Sequence, residues 1–203
     1  MSTDFFGFIA IALVFVAYIP YIRDIVKGRA KPHPFTWLVW SITAGSIFSI
    51  QITNGSGTGA YGSAAVSLFA FTIFVLVSQK LKVKIRRIDI ICLVTAAAGV
   101  ACWLVIQQPL ISLVLLLSIE IVGFIPTLIK GIDKPYEDSA SLWGTNALRH
   151  ASGLIAVQNY NILTMLNPTV WMTVSTLFGI ILLVRRRKVR RPILRKRQFR
   201  PHN

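Results

Sequence analysis

The stretch IPYIRDIVKGRAKPHPFTW (residues 19–37) is matched in outline by IPTLIKGIDKPYEDSASLW (residues 125–143), 106 residues later and without a gap. In each copy a proline lies near the end of a long apolar run, a short polar connection follows, and a tryptophan begins the next apolar run. Because proline lacks a backbone donor and clashes with the preceding turn, each run is predicted to end or bend at Pro20 and Pro126. The repeat therefore predicts two parallel copies of one membrane unit.

Composition favours a membrane protein. The 203 residues are 54% hydrophobic, and their mean hydropathy is +0.64, which is too apolar for a soluble domain whose surface must be wetted. A spanning helix needs about 20 apolar residues, and the sequence lacks the alternating pattern of a membrane barrel. We therefore predict an all-α integral membrane protein. Its seven transmembrane helices are expected within residues 5–22, 35–52, 61–79, 88–106, 110–129, 139–156 and 162–184.

The positions of the 22 basic residues predict the orientation of the chain. They lie on alternate connections and in the carboxyl-terminal segment, with Arg149 as the single exception. The remaining connections, 54–60, 107–109 and 158–161, carry no charge. Because Lys and Arg accumulate on the cytoplasmic side, the amino end is predicted outside and the carboxyl end in the cytoplasm. Topology thus accounts for the net charge of +15, and we predict no nucleic-acid partner.

The repeat divides the chain into four regions. Residues 1–80 form the first three-helix unit, 81–109 a linker helix, 110–185 the second unit, and 186–203 a basic cytoplasmic tail. Since three helices reverse the direction of the chain, one extra crossing keeps the two copies parallel, which predicts a 3+1+3 architecture. The basic tail either anchors this topology or binds the headgroups of anionic membrane lipids.

Three ionisable residues lie deep in the second unit: Glu120, Arg149 and His150. Glu120 and Arg149 are each about ten residues into a helix, roughly 15 Å deep in a core about 30 Å thick. Their counterparts 106 residues earlier are Val14 and Thr43, so the shared fold does not require charges there. A charge at mid-membrane is costly and normally faces a partner inside the bundle. Three interpretations remain: a structural Glu120–Arg149 pair, a site where Arg149 holds an anionic or zwitterionic solute, and a proton relay through Glu120 and His150.

Trp143, Asn146 and His150 share one face of the sixth predicted helix, because their spacing keeps them within a sector of about 60°. A stacking ring beside an amide suits a sugar or another polar solute. Alternatively, Trp143 is an interfacial anchor and Asn146 forms a helix–helix hydrogen bond. Near the start of the second helix, Trp37 and Trp40 are expected in an aromatic belt at the membrane surface.

The second helix and the segment before the sixth helix carry two further patterns. The second helix continues through small residues between positions 41 and 46, which predicts close packing against another helix. Acidic residues 137 and 138 precede the sixth helix. They are expected to cap its amino terminus; the alternative is a latch for a cytoplasmic gate.

The repeated unit, the linker helix, the outside amino terminus and the proline-bearing first helix of each unit resemble the SWEET, SemiSWEET and PQ-loop transporter superfamily. The proline-glutamine pair of that family stands here as Pro20-Tyr21 and Pro126-Thr127. The resemblance implies alternating access between two parallel repeats, with Pro20 and Pro126 as hinges. It also implies a bacterial inner-membrane location and allows a homo-oligomer.

In that superfamily a tryptophan and asparagines line a central solute site, a role that the resemblance gives to Trp143 and Asn146. We therefore predict a membrane transporter or facilitator of a small polar solute. A sugar and an anionic or zwitterionic metabolite both remain open, with or without proton coupling. The predicted solute-binding residues are Trp143, Asn146, Arg149, His150 and Glu120.

The alternative function is a membrane receptor or binding protein that has the same fold and does not transport. An enzyme is not predicted, because the sequence contains no HExxH, GxSxG, P-loop or CxxC motif. No cofactor and no metal site are predicted either.

Overall fold

The computed structural model of the chain describes residues 3–28, 34–80, 87–136 and 138–188. Several predictions concern other parts of the chain: the basic residues within 29–33 and 81–86, Glu137, and the tail beyond residue 188. The side chain of Pro126 also lies outside the described part, so its hinge role stays a prediction.

Seven α-helices account for most of the described residues, and each overlaps one of the predicted apolar runs. No strand occurs in the ranges given above, so the predicted all-α class is confirmed. The helices are α1 (Thr3–Val26), α2 (Pro34–Thr53), α3 (Tyr61–Lys80), α4 (Arg87–Leu104), α5 (Pro109–Asp133), α6 (Ala140–Ile155) and α7 (Ile162–Lys188), with a short 3-10 turn at Gly57–Ala60 before α3.

Five helices are long and apolar enough to cross a membrane: α1, α2, α3 with its preceding turn, α5 and α7. The described apolar stretch of α4 is the shorter Leu93–Leu104, and α6 has 16 residues. Large apolar side chains are exposed on every helix, for example Phe8, Leu68 and Leu177. Exposed apolar surface of this extent is suited to lipid rather than water, which fits an integral membrane protein.

Neither of the two helices that carry the repeated proline, α1 and α5, ends at that proline. α1 continues through Pro20 to Val26, and the backbone of α5 is helical past residue 126 to Asp133. Of the two predicted outcomes, an end or a bend, the end is wrong. Membrane helices accommodate proline because neighbouring helices and side chains satisfy the backbone carbonyl that it frees.

The helix contacts follow one pattern twice. α3 packs against both α1 and α2, and α7 packs against both α5 and α6. Between these two groups α1 contacts α6 and α2 contacts α5, while α4 packs on α5 and α2. The small-residue face of α2 packs on α3, as predicted: Ser41 Oγ donates to the carbonyl oxygen of Ser67 at 3.0 Å, and Ser67 Oγ donates to that of Ser41 at 2.8 Å.

One end of the bundle is closed by two loops, residues 54–58 and 158–161, which we call the loop clasp. Four hydrogen bonds join them. Gln158 N donates to Ser56 O at 3.2 Å and Asn159 N to Gly55 O at 3.0 Å. Asn54 O accepts from Asn161 Nδ2 at 3.1 Å and from Asn159 Nδ2 at 3.4 Å. At the start of α1, Asp4 Oδ1 accepts hydrogen bonds from Thr58 Oγ1 at 3.0 Å and from Gln158 Nε2 at 3.3 Å. The charge-free connections α2–α3 and α6–α7 therefore meet over this end.

Candidate functional site

A cavity of about 300 Å³ lies between the two groups of helices, and side chains from α1, α2, α3, α5, α6 and α7 line it. It extends from mid-bundle toward the end that carries the α1–α2 and α5–α6 connections. There Tyr21, Asp138 and Leu142 form its wall. The loop clasp lies at the other end. The cavity thus approaches one end of the bundle and is separated from the other.

Much of the wall is aromatic. Trp37 is 8% exposed, and its ring centroid lies 5.3 Å from that of Tyr21 and 5.2 Å from that of Trp40. The predicted aromatic-belt role of Trp37 and Trp40 is wrong, because both rings face the interior. The aromatic residues of the wall are Tyr18, Tyr21, Trp37, Trp40, Phe124, Trp143 and Trp171.

Trp143 is held from two sides near the start of α6. Its ring packs against Phe124 and Phe178 at centroid distances of 5.1 and 4.9 Å, and its Nε1 donates to Asp138 Oδ1 at 2.9 Å. The cap of α6 is Ser139, whose Oγ accepts from the Leu142 N–H at 3.2 Å. The N-cap itself is therefore Ser139 and not Asp138, whose Oδ1 accepts both from the Ser139 N–H at 2.7 Å and from the indole.

Glu120 is a buried carboxylate with two neutral partners. It is 8% exposed, Thr43 Oγ1 lies 2.9 Å from its Oε1, and Trp171 Nε1 donates to its Oε2 at 2.6 Å. Thr43 Oγ1 also lies 3.2 Å from the carbonyl oxygen of Trp40. An ionised Glu120 accepts the hydroxyl proton of Thr43. A protonated Glu120 donates to Thr43 Oγ1 instead, which then turns its own proton to the Trp40 carbonyl.

Arg149 is likewise held by neutral groups. Its Nε and Nη2 donate to Asn146 Oδ1 at 3.1 and 3.0 Å, and Nη2 also contacts His150 Nε2. Because a guanidinium only donates, His150 Nε2 accepts, which puts the ring proton on Nδ1. Asn146 Nδ2 donates to Ser175 Oγ at 2.7 Å, so the helix–helix hydrogen bond given above as the alternative role of Asn146 is formed, here between α6 and α7.

The structural Glu120–Arg149 salt bridge is not formed, because each group is held by the neutral partners just described. The two groups attract each other across the cavity without direct contact. Within the described part of the chain, Arg149 Nη1 makes no hydrogen bond. The cavity wall therefore presents the Glu120 carboxylate and the Arg149 guanidinium at separate places, and a second carboxylate, that of Asp138, lies nearer the cavity mouth.

All five predicted solute-binding side chains line the same cavity: Glu120, Trp143, Asn146, Arg149 and His150. The predicted hinge residue Pro20 lies away from it on the exposed side of α1. Sequence reasoning missed Thr43 and Trp171, which hold Glu120. A signal for Thr43 existed, because it is the repeat counterpart of Arg149; its contact with α5 required the packing between the two groups. We find no sequence signal for Trp171.

Comparison with known proteins adds no relative. No family model, curated protein or solved structure matches the chain.

Proposed function

We propose that the chain is a membrane transporter or facilitator that moves a small polar solute by alternating access. The observation that carries this proposal is the cavity between the two groups of helices. It contains polar residues from mid-bundle, and hydrogen-bonded loops cover the opposite end. A pathway that a solute reaches from one side and that is closed on the other side is one state of an alternating-access cycle.

The proposed architecture is 3+1+3, with α1–α3 and α5–α7 as parallel units and α4 as the linker. It is supported by the matching contacts within each group and by the contacts between the groups. Exchanging the two units turns the α1–α6 contact into the α5–α2 contact, as a two-fold axis through the cavity requires. The basic connections then lie at the cytoplasmic end of the cavity, and the loop clasp lies outside.

The resemblance to the SWEET, SemiSWEET and PQ-loop superfamily agrees with this arrangement, and the same transport cycle uses Pro20 and Pro126 as hinges. A second void of about 10 Å³ supports a path through the bundle. It shares Arg149, His150 and Ser63 with the main cavity and is also lined by Gly59, next to the clasp. The guanidinium therefore lies between the solute cavity and the closed end.

Proton coupling through Glu120 is part of the proposal. Thr43 and the Trp40 carbonyl on α2 and Trp171 on α7 satisfy this carboxyl group in either protonation state, by the hydroxyl rotation described above. The other charged or titratable groups that face it are Arg149 on α6 and Tyr18 on α1. A buried carboxyl that keeps its partners with and without a proton is suited to carry one across the membrane.

The experiment is uptake of labelled sugars, amino acids and carboxylates into proteoliposomes, with and without an imposed pH gradient. Wild type is compared with Glu120→Gln and with Asp133→Asn, a matched control at the exposed end of the same helix. We expect the gradient to change the uptake of one solute class in wild type and Asp133→Asn, and to have no effect on Glu120→Gln.

Two results would contradict the proposal in different ways. Uptake that ignores the gradient and the Glu120→Gln change would remove proton coupling and leave a passive facilitator. Solute binding to purified protein without uptake into liposomes would favour the receptor.

A further inference from the structure

Three charged residues line the cavity. Asp138 is at its mouth, where its Oδ1 accepts from Trp143 Nε1 and from the Ser139 N–H. Glu120 and Arg149, the charged pair at mid-bundle, have unused hydrogen-bonding capacity. Each oxygen of Glu120 accepts one hydrogen bond, and a carboxylate oxygen has room for a second. Three of the five N–H groups of Arg149 are engaged, on Nε and Nη2, and the two on Nη1 are not, among the residues that the structure describes. A solute in the cavity can therefore approach one unsaturated group of each sign.

Resting on the transport function proposed above, we propose that the solute is a small zwitterion of the amino-acid class. Its ammonium group binds at Glu120, and its carboxylate binds at Arg149. Both protein groups line the one cavity, whose volume of about 300 Å³ is at the small end of the range for ligand pockets.

The Glu120 end of the cavity is suited to an ammonium group. Trp171 donates to Glu120, and the ring of Phe124, one turn along α5, lies 5.9 Å from the ring of Trp171 between centroids. Aromatic faces attract cations, most strongly where water is excluded. The carboxylate provides a negative charge for an alkylammonium group, and these rings provide an apolar environment around it.

The Arg149 end of the cavity is suited to a carboxylate. Asn146 and His150 fix the Nε and Nη2 edges of the guanidinium, and Ser175 of α7 orients Asn146 in turn. The two N–H groups of Nη1 are not engaged and can donate charge-assisted hydrogen bonds to a carboxylate. Because neutral acceptors hold Arg149, no described residue compensates its positive charge by a direct contact.

Other solute classes match this wall less well. A hexose brings no counter-charge for either group, a simple carboxylate leaves Glu120 uncompensated, and a simple amine leaves Arg149 uncompensated. Buried charges without a partner are strongly disfavoured. While Glu120 is ionised, only a solute with both charges neutralises Glu120 and Arg149 at once.

The test is solute binding to the purified protein in detergent. Binding is monitored through the fluorescence of the tryptophans that line the cavity. The probes are alanine, its deaminated analogue propionate, its decarboxylated analogue ethylamine, and glucose. A series of α-, β- and γ-amino acids then measures the charge separation that fits. We expect the best amino acid to bind at least about tenfold more tightly than propionate or ethylamine, and glucose to bind more weakly still.

The variants assign the two ends. We expect Glu120→Gln to remove the preference for the amino acid over propionate, and Arg149→Gln to remove its preference over ethylamine. Asp133→Asn and Arg187→Gln, which alter exposed residues of α5 and α7, should retain both preferences. If the Gln variants misfold, Glu120→Asp and Arg149→Lys serve instead and should show partial loss of the same preferences.

The outcomes separate this inference from the proposed function. Tighter binding and uptake of glucose, or of a singly charged analogue, would overturn the zwitterion and leave transport standing. Amino-acid binding with the expected variant pattern but without uptake would leave the ligand class standing and overturn transport. Absence of binding and uptake for every probe would overturn both.

Discussion

The two groups of helices share one packing pattern and differ in their buried polar residues. Position 14 in α1 is a fully buried valine, whereas its repeat counterpart is Glu120; position 43 is threonine, whereas its counterpart is Arg149. The first group shows that this fold is built without charges at these two places. The packing pattern therefore does not require the charges of the second group, and neutral partners rather than a direct Glu120–Arg149 contact hold them in place.

The largest effect is expected when this difference is erased. Glu120→Val together with Arg149→Thr gives the second group the residues of the first, and we expect uptake to fall to background. The double variant should be at least as heat-stable as wild type in detergent, because apolar replacement of buried charges is often neutral or stabilising.

Each single variant, Glu120→Val or Arg149→Thr, should unfold at a lower temperature than the double variant, since it leaves one buried charge without the opposing one. Uptake and the thermal midpoint are measured on the same preparations. A double variant that transports like wild type would show that the asymmetry has no role in function.

The next effect concerns Trp171, whose repeat counterpart is Ala65. Trp171→Phe removes the 2.6 Å hydrogen bond to Glu120 and keeps an aromatic ring. Because a hydrogen bond to a charged group contributes about 1.5–3 kcal/mol, we expect solute affinity or uptake to fall about tenfold or more. Trp103→Phe on α4, outside the cavity wall, is the control and should behave as wild type. Equal effects of the two changes would contradict a specific role of the indole N–H.

A smaller effect is expected in the loop clasp. Gly57 has φ 58° and its counterpart is Leu163, within α7. Alanine at position 57 raises the conformational energy of this left-handed backbone by about 1–2 kcal/mol. Its Cβ would also collide with the side chain of Gln158. We therefore expect Gly57→Ala to favour the state in which the clasp is open.

The readout is the rate at which a membrane-impermeant thiol reagent, added outside, labels Ser56→Cys in a background without Cys92 and Cys102. Ser56 is fully buried and its Oγ has no hydrogen-bond partner among the described residues, so the added thiol costs no such bond. Labelling should be severalfold faster with Gly57→Ala. An unchanged rate would contradict a closed outer state held by the clasp.

The smallest effect is expected at the cavity mouth, where Asp138 accepts from Trp143 Nε1; its repeat counterpart is Pro32. Asp138→Asn keeps an acceptor and should leave the thermal midpoint close to that of wild type. Asp138→Ala leaves the indole N–H without that acceptor, and should lower the free energy of unfolding by about 1 kcal/mol. A midpoint that falls equally in both variants would assign the effect to the carboxylate charge instead.

Much of the fold follows from the sequence because membrane helices require long apolar runs. The seven α-helices of the described residues each overlap a predicted run, and five of them are long and apolar enough to cross a membrane. The end of a helix is less predictable near proline: Pro20 stands inside α1, since inside a membrane bundle neighbouring groups compensate the lost backbone bond.

The site was predictable in part. A charge in an apolar run is conspicuous, so Glu120 and Arg149 stand out, and helical spacing groups Asn146 and His150 with Arg149. Their partners are not predictable in this way, because Thr43 and Trp171 are 77 and 51 residues from Glu120 and meet it through the packing of three helices. A direct Glu120–Arg149 pair was one of the three interpretations open from the sequence. In the structure, neutral groups hydrogen-bond to each of the two charged side chains instead.

The most direct test of alternating access is two-sided labelling of the cavity. Ala17, on the cavity wall in α1, is replaced by cysteine in the background without Cys92 and Cys102, and impermeant thiol reagents are applied from each side of oriented vesicles. We predict labelling from both sides, with solute changing the two rates in opposite directions. Labelling from the cytoplasmic side alone, with or without solute, would contradict transport and identify a binding protein with a one-sided cavity.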